Sequence, residues 1–490
     1  MRSYFLSTQF GPAIPAYASV FRRMAGYAIG VASAASAPSA AEGDTPLIER
    51  LPGFSRHRKM LFFSTYLLYI CVNTVNGPLM PAMKTALNFT SGDGATIGAI
   101  QTVGISCGKL LNGGWPVDVI GARRTYGASM ATISVLAFSY SAMQSASAVA
   151  RVAFFLEFFS TPVYPCHVQF IRGWMVPEAT GQGFWLLGMS SRAGDVLAKL
   201  SYGGLLSWLS WKQVTYLAAG LGLMAACLGL GIHRDTPRQL DAPGVLMTTK
   251  ELCAVLRRML GSSGFWLATS ALSATCVIKR SLELLVALYF FDTSDIVSAG
   301  TAAQLAFVWS LGLAISLLVG GPLFNGSTDH GKRVLMAALN AVTVAGCLAM
   351  AMLTGAFADA KTASVLLVAC RASVVFVTAL GVGLPYYVPT GIFSVRFGGA
   401  SSGVVSAYMD VVAFLVSAAA MAAIGQLLDS SPAGWVRVWL VLSVAALAML
   451  ALNFWLLRML FPATSRHEAR RLHASSPVIQ LSNDCGGLET

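Results

Sequence analysis

Charged side chains recur inside long apolar stretches of this sequence, where a membrane or a packed core would normally exclude them. A charge in the hydrocarbon of a bilayer costs roughly 2.5–3.5 kcal/mol on insertion scales, so it usually faces a cavity or a partner. Such groups can bind a charged ligand or carry a proton. Nine candidates stand out: Lys109, Arg192, Asp195, Lys199, Lys279, Arg280, Glu283, Arg371 and Asp410.

Their spacing groups some of them on shared helix faces. One such group, with members three and four residues apart, is Arg192, Asp195 and Lys199. Glu283 can reach Lys279 or Arg280 by the same spacing, but it cannot neutralise both. Six of the nine are basic and three acidic, an excess of three positive charges. This excess predicts an anionic or zwitterionic ligand.

Structural roles are the competing interpretation for several of these charges. Lys199 can extend toward the lipid head groups, and Arg192 can pair with Asp195 between helices. Arg371 can pair with Asp410 in the same way. Arg280, which is near the middle of its apolar stretch, is the strongest single candidate for ligand binding.

Other polar residues in the apolar stretches have two interpretations each. His167 can carry protons or can pack as a hydrogen-bonded core residue. Asn73 and Asn76 can bind a substrate or join two helices. The adjacent Tyr386 and Tyr387 are predicted to belong to an interfacial aromatic belt.

The composition requires a membrane. The chain has 490 residues, of which 56% are hydrophobic and only 11% charged, and its mean hydropathy is +0.66. Soluble domains carry about 25% charged residues. Apolar stretches of about 20 residues without alternation predict membrane-spanning helices rather than a barrel.

The remaining composition excludes other classes of protein. The net charge is +12, but the basic residues are scattered between apolar segments, which indicates membrane topology rather than nucleic-acid binding. The nine cysteines show no metal-type spacing, so we expect neither a metal nor a cofactor. No phosphate-binding G-x-x-x-x-G-K-[ST] run occurs, which argues against ATP hydrolysis. We expect no enzymatic activity.

Twelve spanning helices are predicted. Their approximate ranges are 60–81, 95–117, 125–144, 149–171, 183–206, 213–232, 265–290, 299–323, 334–354, 363–387, 400–427 and 436–461. A linker with a short amphipathic helix, TKELCAVLRRML, separates six helices from six. The predicted organisation is an N-terminal tail (1–58), a six-helix bundle (59–233), a cytosolic linker (234–263), a second six-helix bundle (264–461) and a C-terminal tail (462–490).

Loop charges predict the orientation. The loops after the second, eighth and tenth predicted helices are basic, whereas the loops on the opposite side are neutral or acidic. The positive-inside rule therefore predicts that both termini are cytosolic. The first 41 residues contain three arginines and no acid, which is typical of a transit peptide or of a disordered tail.

Two other signals predict a different address. EGDTPLIERL (42–51) is similar to an acidic dileucine sorting signal, and Asn88-Phe89-Thr90 is a glycosylation sequon. Together they favour the plasma membrane or an endosomal or vacuolar membrane. A transit peptide would favour an organelle envelope instead.

The loop GGWPVDVIGARRT (113–125) carries the clearest motif. It resembles the G-x-x-x-D-x-x-G-x-R-R loop of the major facilitator superfamily, through Gly114, Asp118, Gly121, Arg123 and Arg124. The resemblance implies a fold of twelve transmembrane helices in two six-helix halves, with the loop acting as a gate latch. A partial echo after the eighth predicted helix supports two repeated halves, and its charged residues are Asp329, Lys332 and Arg333.

A narrower resemblance concerns the organophosphate:phosphate antiporters. GKLLNGGWPVD, CHVQFIRGWM and GQGFW, and GGASSGVVSAYMDVV are similar to passages of that group. The resemblance implies binding roles for Lys109 and Arg280. It departs at Asn73, where a phosphate-binding arginine of the first helix is expected, and at Ser191, where the group has a histidine.

These observations predict a secondary transporter that moves a small organic anion, phosphorylated or carboxylated, by alternating access. The predicted binding residues are Arg280, Lys279, Arg192, Lys109, Arg371 and Asn73. The predicted coupling and charge-balance residues are Asp195, Glu283, Asp410 and His167.

Two alternatives remain open, a proton-coupled transporter of amino acids or other zwitterions, and a membrane sensor that binds a ligand without carrying it. The expected partners are a small anionic substrate, the lipid bilayer, and a counter-ion or proton. No nucleic acid is expected, and the protein is expected to be a monomer.

Overall fold

The computed structural model describes residues 56–113, 115–174, 177–232, 249–356, 364–398, 402–431 and 433–461. These residues form helices joined by short turns, with no strand among them. We number the long helical segments in chain order. They are segment 1, Arg56–Asn73 and Asn76–Leu87; segment 2, Ser91–Leu111; segment 3, Ala122–Ser139; segment 4, Ala146–Ser160 and Val163–Trp174; segment 5, Pro177–Leu205; segment 6, Trp211–Ile232; segment 7, Ser263–Asp292; segment 8, Ala299–Leu305 and Phe307–Gly326; segment 9, Asp329–Ala356; segment 10, Val365–Val388; segment 11, Ser402–Ser430; and segment 12, Gly434–Leu460.

Shorter helices fill the connections. Trp115–Ile120 lies between segments 2 and 3, and a 3₁₀ turn, Tyr140–Ala142, extends segment 3. Thr249–Leu260 is the helix that the sequence predicts for the linker. Segment 10 continues through a π-helical turn, Pro389–Phe393, into Ser394–Gly398.

Eight of the described helical stretches are long and apolar enough to cross a membrane: 60–87, 146–172, 211–231, 299–326, 329–356, 365–398, 402–430 and 434–460. These contain segments 1, 4, 6 and 8–12, so the chain is a multi-pass membrane protein. Segments 2, 3, 5 and 7 are 18 to 30 residues long but less apolar. Segments 5 and 7 hold most of the buried charges. The count of twelve spans stays a prediction for these four segments.

The turn between segments 1 and 2 shows why the helices end where they do. Asn88 adopts a left-handed conformation (φ 52°) and terminates segment 1. The Thr90 hydroxyl accepts a hydrogen bond from the backbone N–H of Asp93 at 3.0 Å, while the Thr90 N–H donates to the Asp93 carboxylate at 2.9 Å. This capping box starts segment 2 by satisfying two otherwise free N–H groups. The glycosylation sequon therefore lies in a tight turn.

The same pairing of segments occurs twice. Segment 1 packs on segments 5 and 6, segment 2 on segment 4, and segment 3 on segments 4 and 6. Segment 7 packs on segments 11 and 12, segment 8 on segment 10, and segment 9 on segments 10 and 12. Adding six to each number of the first set gives the second set. This repeated pattern supports the predicted division into two bundles, although the predicted boundaries of the domains stay a prediction.

The two halves meet where segment 2 packs on segments 11 and 7, segment 5 on segment 8, and segment 1 on segments 7 and 8. Segment 1 is broken at Thr74–Val75, just before Pro78, which has no N–H to donate to a preceding carbonyl. Asn73 and Asn76 flank this break, on the side where segment 1 approaches segments 2 and 4. The break therefore places polar side chains in the middle of the bundle.

Candidate functional site

Three basic side chains converge on one carboxylate in the centre of the protein. Within segment 7, Lys279 Nζ and Arg280 Nη1 donate to Glu283 Oε2 at 2.9 and 3.0 Å. Arg192 Nη1 of segment 5 lies 3.7 Å from Glu283 Oε1. Glu283 thus contacts both of its helical neighbours, although its single negative charge cannot neutralise both. All three basic groups are less than 10% exposed.

A second carboxylate in this centre, Glu157, is missing from the sequence-based set of candidates. It lies on segment 4 and is 3% exposed. Gln101 Nε2 donates to its Oε1 at 2.8 Å, and Arg280 Nη2 is 3.5 Å from the same oxygen. Asn73 Nδ2 and the Ser160 hydroxyl reach its Oε2, both at 3.2 Å. The signal was available in the sequence, since RVAFFLEFFS places a lone acid in an apolar run.

Glu157 changes the balance of buried charge. The predicted excess of three positive charges falls to two when this carboxylate is added to the nine candidates. Lys109, Asp410 and Arg371 lie toward the ends of their segments. The central set therefore has four basic and three acidic members and a net charge of +1: Glu157, Arg192, Asp195, Lys199, Lys279, Arg280 and Glu283.

Lys199 and Asp195 of segment 5 form a separate buried pair. Lys199 Nζ lies 3.3 Å from the Asp195 carboxylate and donates to the Ser310 hydroxyl of segment 8 at 2.6 Å. Ser310 in turn donates to Asp195. Lys199 is 0% exposed, so it does not extend to the head groups. The suggested pairing of Arg192 with Asp195 is also wrong, because Arg192 lies against Glu283.

The predicted pairing of Arg371 with Asp410 is wrong as well. Asp410 of segment 11 forms an ion pair with Lys109 of segment 2, and Lys109 also lies over the Phe414 ring at 5.2 Å. Arg371 lies at the other end of the bundle. Its guanidinium donates to the backbone carbonyls of Thr293 and Leu353. Thr293 directly follows segment 7 and Leu353 lies in segment 9. Arg371, in segment 10, therefore connects three helices of the second half.

Aromatic rings line the central cations. Lys279 Nζ lies 4.8 Å from the centroid of the Tyr386 ring, and the Arg280 guanidinium lies 5.8 Å from that of Phe414. Rings at these distances attract cations electrostatically. The sequence suggested that Tyr386 belongs to an interfacial belt. Its ring instead contacts Lys279, one of the central cations. Phe414 lies between the Lys109 and Arg280 charges.

His167 and the two asparagines have structural contacts. The His167 ring is 0% exposed and packs on Phe62 and Tyr66. One ring nitrogen is 2.9 Å from the Val163 carbonyl and the other 3.2 Å from the Thr65 hydroxyl. These contacts favour the packing interpretation over proton transfer.

Asn76 Nδ2 donates to Gln101 Oε1 at 2.7 Å. Together with the contact between Asn73 and Glu157, this hydrogen bond joins segments 1, 2 and 4. Both asparagines thus link helices, which was one of the two interpretations of the sequence.

The motif loop between segments 2 and 3 is described in part. Gly114 lies outside the described residues. Gly121 has φ 92°, a conformation that favours glycine, and it begins segment 3. Arg123 Nε donates to the Leu230 carbonyl of segment 6 at 2.8 Å. Arg124 is exposed. The motif arginine thus binds a helix end of its own half.

Asp118 forms no ion pair among the described residues. Its side chain is exposed, and partial desolvation of the carboxyl raises its pKa. In the echo of the motif, Asp329 lies 3.6 Å from Lys332, whose ammonium also lies over the Phe461 ring at 5.1 Å. Arg333 lies in a groove between segments 9 and 12. The two loops occupy equivalent places in the two halves, but the described residues show no ion pair between them.

A second ion pair joins the halves at the opposite end of the bundle. Lys84 of segment 1 donates to Asp292 of segment 7 at 2.6 Å and to the Ser91 hydroxyl at 2.6 Å. Trp435 Nε1 donates to the same aspartate at 3.0 Å. At this end Asp429 also accepts from the Gly92 N–H at 3.1 Å. The central charges thus lie between two ion pairs, Lys84–Asp292 and Lys109–Asp410, each with its lysine in the first half.

Comparisons with known proteins agree with this geometry. The model of the family described as "Major Facilitator Superfamily" matches residues 62–296. A puromycin resistance protein from Streptomyces alboniger is 24% identical over 217 residues, which are 42% of this chain and 42% of that protein. The chain thus matches less than half of the length of this relative.

Solved structures match over most of the chain. A bacterial homologue of the human lysosomal transporter Spinster, in an inward-facing and unoccupied conformation, superimposes with a TM-score of 0.63 at 14% identity, covering 85% of this chain and 98% of that chain. A D-xylose–proton symporter superimposes with a TM-score of 0.60 at 13% identity, covering 80% and 96%.

The comparisons do not support the narrower resemblance to organophosphate:phosphate antiporters. The matched solved structures are described as those of transporters. Identities of 13 and 14% carry the fold and no substrate. The repeated pairing of helices, the motif loop and the superpositions lead to one conclusion: this chain has the fold of the major facilitator superfamily.

Proposed function

We propose that this protein is a secondary active transporter that carries a small organic anion, phosphorylated or carboxylated, by alternating access. One observation carries the proposal: Arg192, Lys279 and Arg280 surround the carboxylate of Glu283. The centre of the protein is therefore already arranged to hold an anionic group. Transporters of this fold bind their substrates near the membrane midplane between the halves, and these residues are near the middle of segments 5 and 7.

Arg280 is the principal binding residue in this proposal. A guanidinium offers several donors in a rigid fork that suits carboxylate and phosphate groups. Arg280 lies between Glu283 and Glu157, so a substrate anion that enters would compete with these two side chains. Lys279 and Arg192 assist it. Lys109 and Arg371 are removed from the proposed binding set, because each is held by a partner away from Glu283, whereas Asn73 stays in it beside Glu157.

The acidic residues have different roles. Glu283 occupies the binding position until the substrate arrives, and Asp195 neutralises Lys199. Asp410 pairs with Lys109 and joins the halves at one end. The net central charge of +1 is compatible with a single anionic group, and dianions would need further compensation.

A proton-coupled transporter of amino acids or other zwitterions is the second candidate. It is favoured by the two carboxylates that flank Arg280, since one of them could accept a substrate ammonium while the guanidinium holds its carboxylate. One structural neighbour is a D-xylose–proton symporter, so this fold is compatible with proton coupling. A counterflow screen that includes both anions and amino acids distinguishes the two candidates.

A counterflow screen tests the proposal. Purified protein in liposomes is preloaded with unlabelled phosphates, carboxylates or amino acids, and the uptake of the labelled compound is measured. We expect exchange of at least one organic anion. Arg280→Ala should raise the half-saturation concentration about 10- to 100-fold, because a charge-assisted hydrogen bond contributes about 1.5–3 kcal/mol. Arg280→Lys should be affected less.

The matched control is Arg437→Ala, which removes an exposed arginine at the start of segment 12. It should exchange like the wild type. Anion exchange that is unchanged in Arg280→Ala would remove Arg280 from the site. Exchange of amino acids but of no simple anion would favour the second candidate.

A further inference from the structure

A groove of about 260 Å³ lies between segments 9 and 12, away from the central charges and within the second half. Basic side chains line the end of it that is nearest the helix termini. His330 and Arg333 are near the start of segment 9, and Arg458 is near the end of segment 12. The loop charges predict that this end is cytosolic. The three basic residues therefore lie where membrane-spanning helices meet the lipid head groups.

The rest of the groove has an apolar wall that faces outward. Its lining includes Val334 of segment 9 and Leu450 and Phe454 of segment 12. Val334 is 53% exposed and Phe454 is 47% exposed. Both segments are long and apolar enough to cross a membrane, so these exposed side chains face lipid. Leu450 lies about 12 Å along the helix from Arg458, and the wall therefore extends from the head groups into the hydrocarbon.

Two polar atoms of the lining residues are buried and have no hydrogen-bond partner among the described residues. They are Nε of Arg333 and the amide oxygen of Asn340, whose side chain also lines the groove and is 1% exposed. A buried polar group without a partner is costly. The Arg333 N–H is a donor that lacks an acceptor, and the Asn340 amide, about 10 Å deeper along segment 9, can bond to a second polar group of a ligand.

We propose that this groove binds an anionic phospholipid, with its phosphate between Arg333 and Arg458 and one acyl chain along the apolar wall. The two guanidinium groups donate to the phosphate oxygens, and His330 adds a further polar contact. The Asn340 amide lies on the hydrocarbon side of Arg333, where the ester groups of a phospholipid follow its phosphate. The site is separate from the proposed transport of an organic anion and does not depend on it.

The charges around the groove favour an anion that is attached to a hydrocarbon chain. The neighbouring acid, Asp329, pairs with Lys332 at 3.6 Å, whereas Arg333 and Arg458 form no ion pair among the described residues. The Arg458 guanidinium lies 4.5 Å from the centroid of the Phe454 ring, so the cationic end and the apolar wall are continuous. A soluble anion would contact the basic end alone. Basic pockets between membrane helices on the cytosolic side suit anionic head groups.

Native mass spectrometry of the full-length protein in detergent tests the proposal. The probes are phosphatidylglycerol, whose head group has a net negative charge, and phosphatidylcholine, which has none, with identical acyl chains. We expect one phosphatidylglycerol to bind about tenfold more tightly than phosphatidylcholine, because two cations contact its head group. The double variant Arg333→Gln/Arg458→Gln should lose this preference. The matched control is Arg437→Gln, which removes an exposed arginine at the other end of segment 12 and should bind both lipids like the wild type.

Ala337→Phe tests the hydrocarbon part of the site, because Ala337 is an exposed residue of the groove and the larger side chain leaves the basic residues in place. It should weaken the binding of phosphatidylglycerol severalfold, and thermal unfolding in the same detergent checks that each variant is folded. Equal binding of the two lipids by the wild type, or a preference that the double variant keeps, would overturn the proposal. A loss of preference in Arg437→Gln as large as in the double variant would overturn it too, since the effect would then be one of general surface charge. Displacement of phosphatidylglycerol by millimolar inorganic phosphate, with Ala337→Phe binding like the wild type, would show a site for a free anion and equally contradict a lipid site.

Discussion

At the scale of single residues, the buried charges are held by specific partners. Lys199 illustrates this, since it is fully buried, pairs with Asp195 on its own helix and donates to Ser310 across the contact between segments 5 and 8. A charge in this position is tolerated because its partner is close and aligned. Removing one member leaves the other buried without compensation.

Lys199→Met should therefore destabilise the folded protein by about 3–5 kcal/mol, the cost of leaving a buried charge unpaired. The measurement is thermal unfolding of purified protein in detergent. Adding Asp195→Asn should recover most of the loss, since the double variant contains neither charge. Lys212→Met, at the exposed start of segment 6, is the matched control. Equal stability of the wild type and the single variant would show that this ion pair makes no net contribution.

At this scale, the sequence predicted contacts within one helix better than partners on different helices. The sequence identified the basic members of the centre and the acids on the same helices, because spacing of three or four residues is visible along the chain. It offered Arg192 with Asp195 and Arg371 with Asp410 as alternative structural pairs, and the structure has Arg192 beside Glu283 and Asp410 beside Lys109 instead. Partners on different helices depend on which helices are neighbours, and this information is not local.

At the scale of helices, close packing of segment 2 on segment 4 positions Glu157. Gly104 and Gly108 lie at the contact. A Cβ atom at Gly104 would be 2.4 Å from the Phe154 carbonyl oxygen, and one at Gly108 would be 2.7 Å from that of Phe158. Small residues four apart allow membrane helices to approach closely. The same approach lets Gln101 of segment 2 reach Glu157.

Gly104→Ala should push these two helices apart and lower the stability by about 1–3 kcal/mol, the usual cost of overpacking. We expect a lower unfolding temperature in detergent and weaker anion exchange. Gly220→Ala in segment 6 is the control, since a Cβ there meets no atom within 4 Å. If the two substitutions have the same effect, the glycine contact does not determine the spacing of segments 2 and 4.

At the scale of the whole molecule, two ion pairs enclose the centre. Lys84–Asp292 and Lys109–Asp410 each join the first half to the second, at opposite ends. If the positive-inside orientation is correct, the first of these lies at the non-cytosolic end. In the proposed alternating access the two ends open in turn, so each pair would break in one state.

Asp292→Asn should weaken closure at the non-cytosolic end. The measurement uses Met80→Cys, a position in segment 1 that is 0% exposed, in a chain whose Cys227, Cys253, Cys370 and Cys485 are replaced by serine. Labelling by a membrane-impermeant maleimide from the non-cytosolic side should rise severalfold with Asp292→Asn. Asp410→Asn, which breaks the other pair, is the matched comparison and should not increase it. The opposite pattern would reverse either the assigned ends or the role of the two pairs.

The sequence alone determined that this chain is a membrane protein, where its helices lie and which loop carries the superfamily motif. Composition, apolar length and loop charge are properties of consecutive residues, so they can be recognised without a structure. Only the tertiary structure decided that Glu157 belongs to the centre, that Arg280 is shared between two carboxylates, and that Lys109 pairs with Asp410. The contacts Gln101–Glu157, Arg280–Glu157 and Lys109–Asp410 join residues 56, 123 and 301 positions apart. They form because separate helices pack together in an interior where an unpaired charge is costly.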